Sequence, residues 1–354
     1  MSRQEMGGKI QTVLGSIDPE SLGLTLPHEH LLCDASVYFK EPTEKTQRTL
    51  AYQQIKMENL GWIRQNPSNS LENLKLLDEK IALSELIRFK KAGGNSIVEM
   101  SNIGLRRNPF GLVRLSKAAG LNIIMGSGYY VGASHPKYLK SKSVDDITAE
   151  IVADITIGVG DTGIRAGMLG EIGCSVPLQE DEIKVLKAVA RAQQLTGVPV
   201  NIHPGNSEYA PLEVVELFRK HGGDIYHTVI SHVDNRIGDN IKKTVELAET
   251  GCYVEYDLFG QAQRPLSYEM LHSLSDWQRV DGIKQLIDQG FLDKLLISHD
   301  VFHKIALRHY GGYGFDHIPV NVVNLMRMKN ITEAQIQTIL VDNTRKMLQF
   351  TRAR

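Results

Sequence analysis

The sequence lacks the features that mark secreted, membrane-spanning and nucleic-acid-binding proteins. Its only cysteines are Cys33, Cys174 and Cys252, with no Cys-x-x-Cys pair, a usage typical of reduced thiols in a cytoplasmic protein. It has no uninterrupted run of about 18 apolar residues and no apolar stretch at the N-terminus, which argues against membrane spanning and secretion. The net charge of -1 gives no electrostatic basis for binding nucleic acid or an anionic membrane.

The length and composition of the chain fit one large enzyme domain. By length alone, 354 residues would suggest two domains, but α/β barrels often exceed about 250 residues as one unit. Apolar residues make up 42% of the chain, which is enough for a large core. We therefore expect a single domain over residues 1–354, a small-molecule substrate, and no nucleic-acid or membrane partner.

Eight short apolar runs alternate with helical patterns along the chain. Residues 181–192, for example, carry apolar residues at helical spacing and acidic residues in the first turn, which is typical of an amphipathic helix. Alternating strands and helices indicate a parallel sheet, and eight units favour a closed α/β structure, the (β/α)8 or TIM barrel. The candidate strands lie near residues 22–32, 96–101, 122–131, 166–174, 198–203, 227–233, 252–258 and 294–300.

Three segments depart from a minimal barrel. Residues 34–90 are too long for one crossover and predict an inserted helical segment after the first strand. Residues 9–17 are expected to form a small β-hairpin or lid ahead of that strand. Residues 259–290 should form a loop and a helix after the seventh strand, with residues 260–265 as a flexible segment. Long loops after the strands of a barrel build its substrate pocket.

Residue types that bind metals stand at the ends of the apolar runs. His28 and His30 alternate, so a strand would turn both imidazoles to one face; taken alone, the pair fits two unrelated histidines equally well. Glu171 and Asp300 strengthen the case, because a buried carboxylate needs a cation or a strong hydrogen-bond donor. The full candidate set is His28, His30, Glu171, His203, His232 and Asp300.

The spacing of the last four candidates matches the repeat of a barrel. They are separated by 32, 29 and 68 residues, close to one, one and two strand-plus-helix units. The same ends of the strands meet at one mouth of a closed barrel. The sequence therefore predicts one metal site at the C-terminal mouth.

Several motifs between the candidate ligands resemble those of a known family. The ligand order, with His-x-His on the first strand, an acid on the fourth, histidines on the fifth and sixth and Asp on the eighth, resembles the phosphotriesterase family of the amidohydrolase superfamily. The motifs are similar to those of its phosphotriesterase-related members, from about residue 9 to the C-terminus. They are Gln11–Gly15, Thr25–His30, Gly170–Ser175, Ile202–Gly205, Tyr253–Gly260 and His309–Gly314.

The resemblance implies a binuclear metal centre with the six candidates as ligands. It assigns His28, His30 and Asp300 to a more buried ion, His203 and His232 to a more exposed ion, and Glu171 to the bridge between them. Two divalent ions, with zinc expected and manganese, iron or cobalt as alternatives, would activate a bridging water as the attacking hydroxide. Asp300 would be the catalytic residue that takes the proton and passes it to the leaving group. A plain metal ligand is the alternative role for Asp300.

The chain also departs from the phosphotriesterases in ways that bear on its substrate. Those enzymes bridge their metals with a carbamoylated lysine, where this chain has Glu171. They also carry a histidine just beyond the aspartate of the seventh strand, where Leu258 and Phe259 follow Asp257. The resemblance implies hydrolysis of small N-acyl amino compounds such as N-acetyltaurine. The alternatives are a lactonase or phosphoesterase using the same site, and a catalytically silent metal-binding homologue.

An anionic substrate tail would need cations or donors in the loops around the mouth. The candidates for substrate contact are Tyr130, Asn206, Arg236 and His303, each with a solvated loop position as the alternative. Glu99 is expected to hold a ligand histidine or to pair with Arg106. The resemblance also admits a homodimer.

Overall fold

The structure is a computed structural model that describes residues 7–261 and 271–353. Of the predicted flexible segment, residues 262–265 lie outside this range. The described strands are β1 (Ile10–Thr12), β2 (Gly15–Ile17), β3 (Thr25–Glu29), β4 (Cys33–Asp34), β5 (Lys75–Leu76), β6 (Ser96–Glu99), β7 (Asn122–Ser127), β8 (Met168–Gly173), β9 (Val200–His203), β10 (Thr228–Ile230), β11 (Tyr253–Tyr256) and β12 (Leu295–Ile297).

Eight of these strands form one parallel sheet in the order β3, β6, β7, β8, β9, β10, β11, β12. Each of the eight apolar runs contains one of them, and helices follow the strands in alternation. The strands are buried almost throughout, as expected for a parallel sheet whose two faces are both covered. The prediction of a (β/α)8 barrel is confirmed.

The helices begin and end at recognisable signals in the sequence. The helix predicted over residues 181–192 spans Glu180–Thr196, starts with three acidic residues and ends at Gly197, whose φ of 70° is left-handed. None of the described helices combines the length and apolar character needed to cross a membrane. The described α-helices are α1 (Lys45–Ala51), α2 (Met57–Gln65), α3 (Glu79–Lys91), α4 (Pro109–Ala119), α5 (Val144–Thr156), α6 (Glu180–Thr196), α7 (Ala210–Lys220), α8 (Val233–Arg236), α9 (Ile241–Glu249), α10 (Asp276–Asp288), α11 (Val323–Met328), α12 (Glu333–Gln337) and α13 (Asn343–Leu348).

Between the first and last barrel strands, a backbone hydrogen bond and several side-chain contacts replace the strand ladder that joins the other neighbouring strands. The backbone N–H of Asp300 donates to the carbonyl of His28 at 3.2 Å. The buried Glu29 carboxylate accepts hydrogen bonds from the N–H groups of His299 and Val301, each at 3.0 Å. The Nδ1 atom of His299 lies 2.6 Å from the same carboxylate. We call this junction of β3 and β12 the seam of the barrel.

The predicted hairpin is present as the antiparallel pair β1 and β2. The N–H of Val13, in its turn, donates to the carbonyl of Ile123 near the start of β7. Ile10 packs with Val98 and Ile124 in a buried cluster inside the barrel. The hairpin therefore packs against the N-terminal end of the barrel, ahead of the first barrel strand as predicted.

The segment between the first barrel strand and α3 contains the predicted helical insertion. It holds α1 and α2, but it also holds a two-stranded ribbon of β4 and β5 and a short 3-10 turn at Ser36–Tyr38, which the sequence did not indicate. The crossover helix itself is α3, over residues 79–91. The short turn matters most, because it carries Tyr38 toward the mouth of the barrel.

Candidate metal centre

The structure brings all six candidate ligands together at the C-terminal mouth. His28 lies in β3 and His30 just after it, Glu171 lies in β8, and His203 ends β9. His232 and Asp300 stand two and three residues beyond the ends of β10 and β12. The most exposed of the six retains only 9% of its accessible surface.

The carboxylate of Glu171 lies at the centre of the cluster. Its Oε1 atom is 2.6 Å from Nδ1 of His203 and 2.6 Å from Nε2 of His232. The same oxygen lies 3.6 Å from Nε2 of His28, and Oε2 lies 3.8 Å from Nε2 of His30. One carboxylate thus faces both histidine pairs, which is the geometry that a bridging ligand requires.

Asp300 faces the first histidine pair from the opposite side of the seam. Its Oδ1 atom lies 3.3 Å from Nε2 of His30 and 3.7 Å from Nε2 of His28. The backbone of Asp300 is left-handed with φ of 48°, and that of His232 with φ of 56°. Such conformations cost non-glycine residues about 1–3 kcal/mol and tend to occur at functional sites.

The electrostatics of the cluster require positive charge at the carboxylates. Burial would raise the pKa of the Glu171 carboxyl, but the imidazoles of His203 and His28 hold it well below its usual range. Burial lowers the pKa of His203 to about 4. Burial would also lower the pKa of His232, but Asp257 and Glu171 raise it to about 10. Protonated histidines or bound metal cations can supply this positive charge.

The donor set fits divalent metal ions. Ligand atoms of His28, Glu171 and His232 lie within 4.8 Å of one another, and so do those of His28, His30 and Asp300. Nε2 of His28 is buried without a hydrogen-bond partner among the described residues, between the two carboxylates. Imidazole and carboxylate donors suit zinc, manganese, iron or cobalt. The residues could therefore hold two such ions.

Two acidic residues, one in β11 and one directly after it, orient two of the candidate ligand histidines. Nδ1 of His28 lies 3.0 Å from Glu255, and Nδ1 of His232 lies 2.9 Å from Asp257, which also accepts the N–H of His232. Asn201 donates to Glu255 at 2.9 Å. Such partners orient metal-binding imidazoles. Sequence reasoning gave Asp257 no such role and missed Glu255, although two acids at alternate positions of an apolar strand are a readable signal.

A third candidate ligand, His30, is oriented by a residue just beyond the second barrel strand, β6. Its Nδ1 atom lies 2.9 Å from the hydroxyl of Ser101. Glu99, beside it, accepts the N–H of Leu31 at 3.4 Å, and burial raises the pKa of Glu99 to about 7. Arg106 is exposed whereas Glu99 is fully buried, so the interpretation of a pair with Arg106 is wrong.

A cavity of about 580 Å³ opens in front of the cluster. Three of the four predicted substrate contacts, Tyr130, Asn206 and Arg236, line it. His303 lines a separate cavity of about 350 Å³ instead, because the preceding Phe302 takes the position that faces the site.

Tyr38 is a cavity residue that no sequence signal indicated. Its hydroxyl lies 2.5 Å from that of Tyr130, whose own oxygen is 3.4 Å from Nδ1 of His203. Arg236 Nη2 lies 3.3 Å from Nε2 of the same histidine. The tyrosine pair and the guanidinium thus flank one edge of the candidate metal-binding cluster.

Residues 8–348 match the model of the phosphotriesterase family. A phosphotriesterase-related protein from Nematostella vectensis is 43% identical over 350 residues, which cover 97% of this chain and 99% of that protein. An N-acetyltaurine hydrolase from Salmo salar is 42% identical over 347 residues, which cover 98% and 99%.

A solved structure supports the same relationship. The crystal structure of a resiniferatoxin-binding protein from Rhodobacter sphaeroides superposes with a TM-score of 0.94 at 34% identity, covering 99% of this chain and 98% of that one. The family that the motifs predicted is therefore confirmed. The chain belongs to the phosphotriesterase family.

Proposed function

We propose that this chain is a binuclear metal-dependent hydrolase that cleaves small N-acyl amino compounds such as N-acetyltaurine. The observation that carries the proposal is the convergence of four imidazoles and the Asp300 carboxylate around Glu171, at the base of a cavity that also holds a buried arginine. The relative from Salmo salar, which this chain matches over nearly its whole length, is named for N-acetyltaurine hydrolysis.

We assign the ligand roles as the family resemblance implies, with His28, His30 and Asp300 in one group, His203 and His232 in the other, and Glu171 as the bridge. In support, ligand atoms of His28, His30 and Asp300 lie within 4.8 Å of one another, and Glu171 lies 2.6 Å from both His203 and His232. Two divalent ions bound there, which we propose to be zinc, would supply an activated water and polarise the acyl carbonyl oxygen. Manganese, iron and cobalt suit the same donors.

We assign to Asp300 the proton transfer that amide cleavage requires. Its carboxylate is buried yet lines the cavity, and burial raises its pKa above the usual carboxyl range. An amine is a poor leaving group unless its nitrogen is protonated as the C–N bond breaks. Asp300 would accept a proton from the attacking water and deliver it to that nitrogen.

Arg236 is the group that we assign to the anionic tail of the substrate. It is 4% exposed, lines the cavity and lies beside His203. A guanidinium in a buried site binds sulfonate or carboxylate through charge-assisted hydrogen bonds. Asn206 has a buried side-chain oxygen without a hydrogen-bond partner among the described residues, and it lines the cavity on the same side. Tyr130 would contact the acyl group.

The first experiment measures metal content and hydrolysis together. Purified wild type should hold two divalent ions per chain and release taurine from N-acetyltaurine. Glu171→Gln keeps the shape of the bridge but removes its charge, and should lower both the second metal equivalent and turnover. The exposed Glu213→Gln is the matched control and should change neither. Two tightly held ions and full turnover in Glu171→Gln would contradict the bridging role.

The second experiment tests the anionic tail. Arg236→Gln should raise KM for N-acetyltaurine at least about tenfold, the scale of one charge-assisted hydrogen bond, and affect neutral N-acetylethanolamine much less. Lys40, an exposed cation at the rim of the cavity, provides the comparison variant Lys40→Gln. A larger effect from Lys40→Gln would move the tail site to the rim.

A wider substrate panel separates this proposal from its alternatives. Lactones and phosphotriesters would reveal a lactonase or phosphoesterase, and metal-loaded protein inactive on every compound would indicate a silent homologue. The cytoplasmic location, the homodimer and the single domain over residues 1–354 stay predictions.

A further inference from the structure

The cavity in front of the metal centre is larger than an N-acetyl compound requires. Its volume of about 580 Å³ falls in the range of pockets that bury drug-sized ligands. N-acetyltaurine has only about ten non-hydrogen atoms, which is small for a pocket of that class. Much of the space would remain without substrate atoms if acetyl were the acyl group.

The walls of the cavity divide by polarity around the barrel. Apolar side chains follow the first four strands of the ring, β3, β6, β7 and β8, and single ones, Leu258 and Phe302, follow the last two. The polar Asn206 and Arg236 follow the fifth and sixth strands, β9 and β10. In a ring of eight, β9 stands opposite β3 and β10 stands opposite β6. The apolar wall consists of Ala35, Val37, Leu105, Val131, Val176 and Pro177.

The polar side chains on the apolar side include Ser68 and Ser175, and the Ser175 hydroxyl donates to the buried Glu182 at 2.7 Å. Lys40 and Gln179 are exposed and lie at the rim. The hydroxyls of Tyr38 and Tyr130 lie 2.5 Å apart and hydrogen-bond to each other, with their rings packed edge to face. The two rings therefore extend the apolar surface toward the metal centre.

We propose that the preferred substrates are N-acyl amino sulfonates or carboxylates whose acyl chain is well beyond acetyl, with the chain on the apolar wall and the anionic tail at Arg236. This inference rests on the proposed function and specifies its acyl group. Hydrolysis breaks the amide C–N bond, joins the oxygen of water to the acyl carbon, and transfers a proton to the nitrogen. The products are a fatty carboxylate and the free amino acid or amino sulfonate.

A chain-length series tests the acyl group directly. The metal-loaded enzyme is assayed with acetyl-, butanoyl-, hexanoyl- and octanoyltaurine, and with the matching N-acylglycines to separate sulfonate from carboxylate. Each methylene buried on the wall should raise kcat/KM roughly threefold, giving at least about a tenfold rise from acetyl to hexanoyl. A decline of kcat/KM from acetyl onward in both series overturns the inference but leaves the proposed function intact. No hydrolysis of any member would overturn the proposed function itself.

Two variants test the position of the acyl chain. Ala133 and Val176 lie on neighbouring loops of the apolar side and are exposed at the cavity, so a larger side chain there disturbs no packed core. Ala133→Trp and Val176→Trp should each lower the octanoyl-to-acetyl ratio of kcat/KM at least about tenfold. Ala334→Trp, on exposed α12, is the matched control and should leave the ratio unchanged. Wild-type ratios in both cavity variants would overturn this placement.

Discussion

At the scale of single residues, Asp300 combines several properties that are seldom found together. It has a left-handed backbone, it contacts the first strand across the seam, and its carboxylate lines the substrate cavity. His30, His203 and His232 line the same cavity, so access alone does not separate a proton-transfer role from that of a plain ligand. What favours the proton-transfer role is the carboxylate itself, whose pKa is raised by burial and which can accept and release a proton beside the substrate.

Replacing Asp300 with asparagine should separate the two roles. Asp300→Asn cannot accept a proton, so kcat for an amide should fall at least about 100-fold, the lower scale of general acid-base catalysis. An activated ester, whose alcohol leaves without protonation, should lose less. The comparison uses protein with measured two-metal occupancy. Equal losses on both substrates would assign Asp300 to metal binding alone.

At the scale of secondary-structure elements, the shape of the cavity depends on loops that are hydrogen-bonded to a neighbouring helix. Glu182, in the first turn of α6, is fully buried. It accepts the N–H of Gly132 in the loop after β7 at 2.8 Å, and the N–H groups of Ser175 and Gln179 at 3.0 and 2.9 Å. One carboxylate thus holds two adjacent loops of the apolar wall.

Glu182→Gln should loosen both loops. The amide loses the charge and presents a donor to backbone donors, so we expect a loss of about 2–4 kcal/mol in the free energy of unfolding. Urea unfolding of metal-loaded protein gives this value. Glu180→Gln, exposed on the same turn, should cost less than about 0.5 kcal/mol. An equally small cost for Glu182→Gln would show that the loops hold without it.

The fold and the metal-binding cluster were predictable because their signals are local. Apolar runs with helical segments between them indicate the barrel. Residues such as His203 and Glu171 stand out because metal-binding residue types are rare in buried strands. Tyr38 and Glu182 could not be found, since each depends on contacts between segments far apart in the sequence. The same applies to His303, which lies in the loop six residues beyond the end of β12, where no strand periodicity indicates which of two neighbours faces the cavity.

At the scale of the whole molecule, one histidine far from the metal centre should make the stability of the fold depend on pH. His227 precedes β10 and is almost fully buried, and burial lowers its pKa. Its folded-state pKa therefore lies below the unfolded value of about 6.5. Between these values the unfolded chain binds more protons, so stability falls as pH drops below about 6.5 and is unaffected by this residue above it.

Substituting His227 should flatten this part of the pH profile. In metal-loaded His227→Gln, the difference in Tm between pH 7.5 and pH 5.5 should be smaller than in wild type. His309→Gln, at an exposed position, should keep the wild-type difference. The prediction fails if both variants follow the wild-type curve.

A metal bound at the seam would also help to hold the barrel closed. His28 and His30 stand on one side of it and Asp300 on the other, so a cation held by all three would join the strands where backbone pairing is sparsest. After chelation, amide protons of β3 and β12 should exchange with deuterium before those of β8 and β9. A barrel that parts at one seam becomes an open sheet with two bare edges, and such edges pair with other chains. Metal starvation would then expose this protein to self-association as well as to loss of turnover.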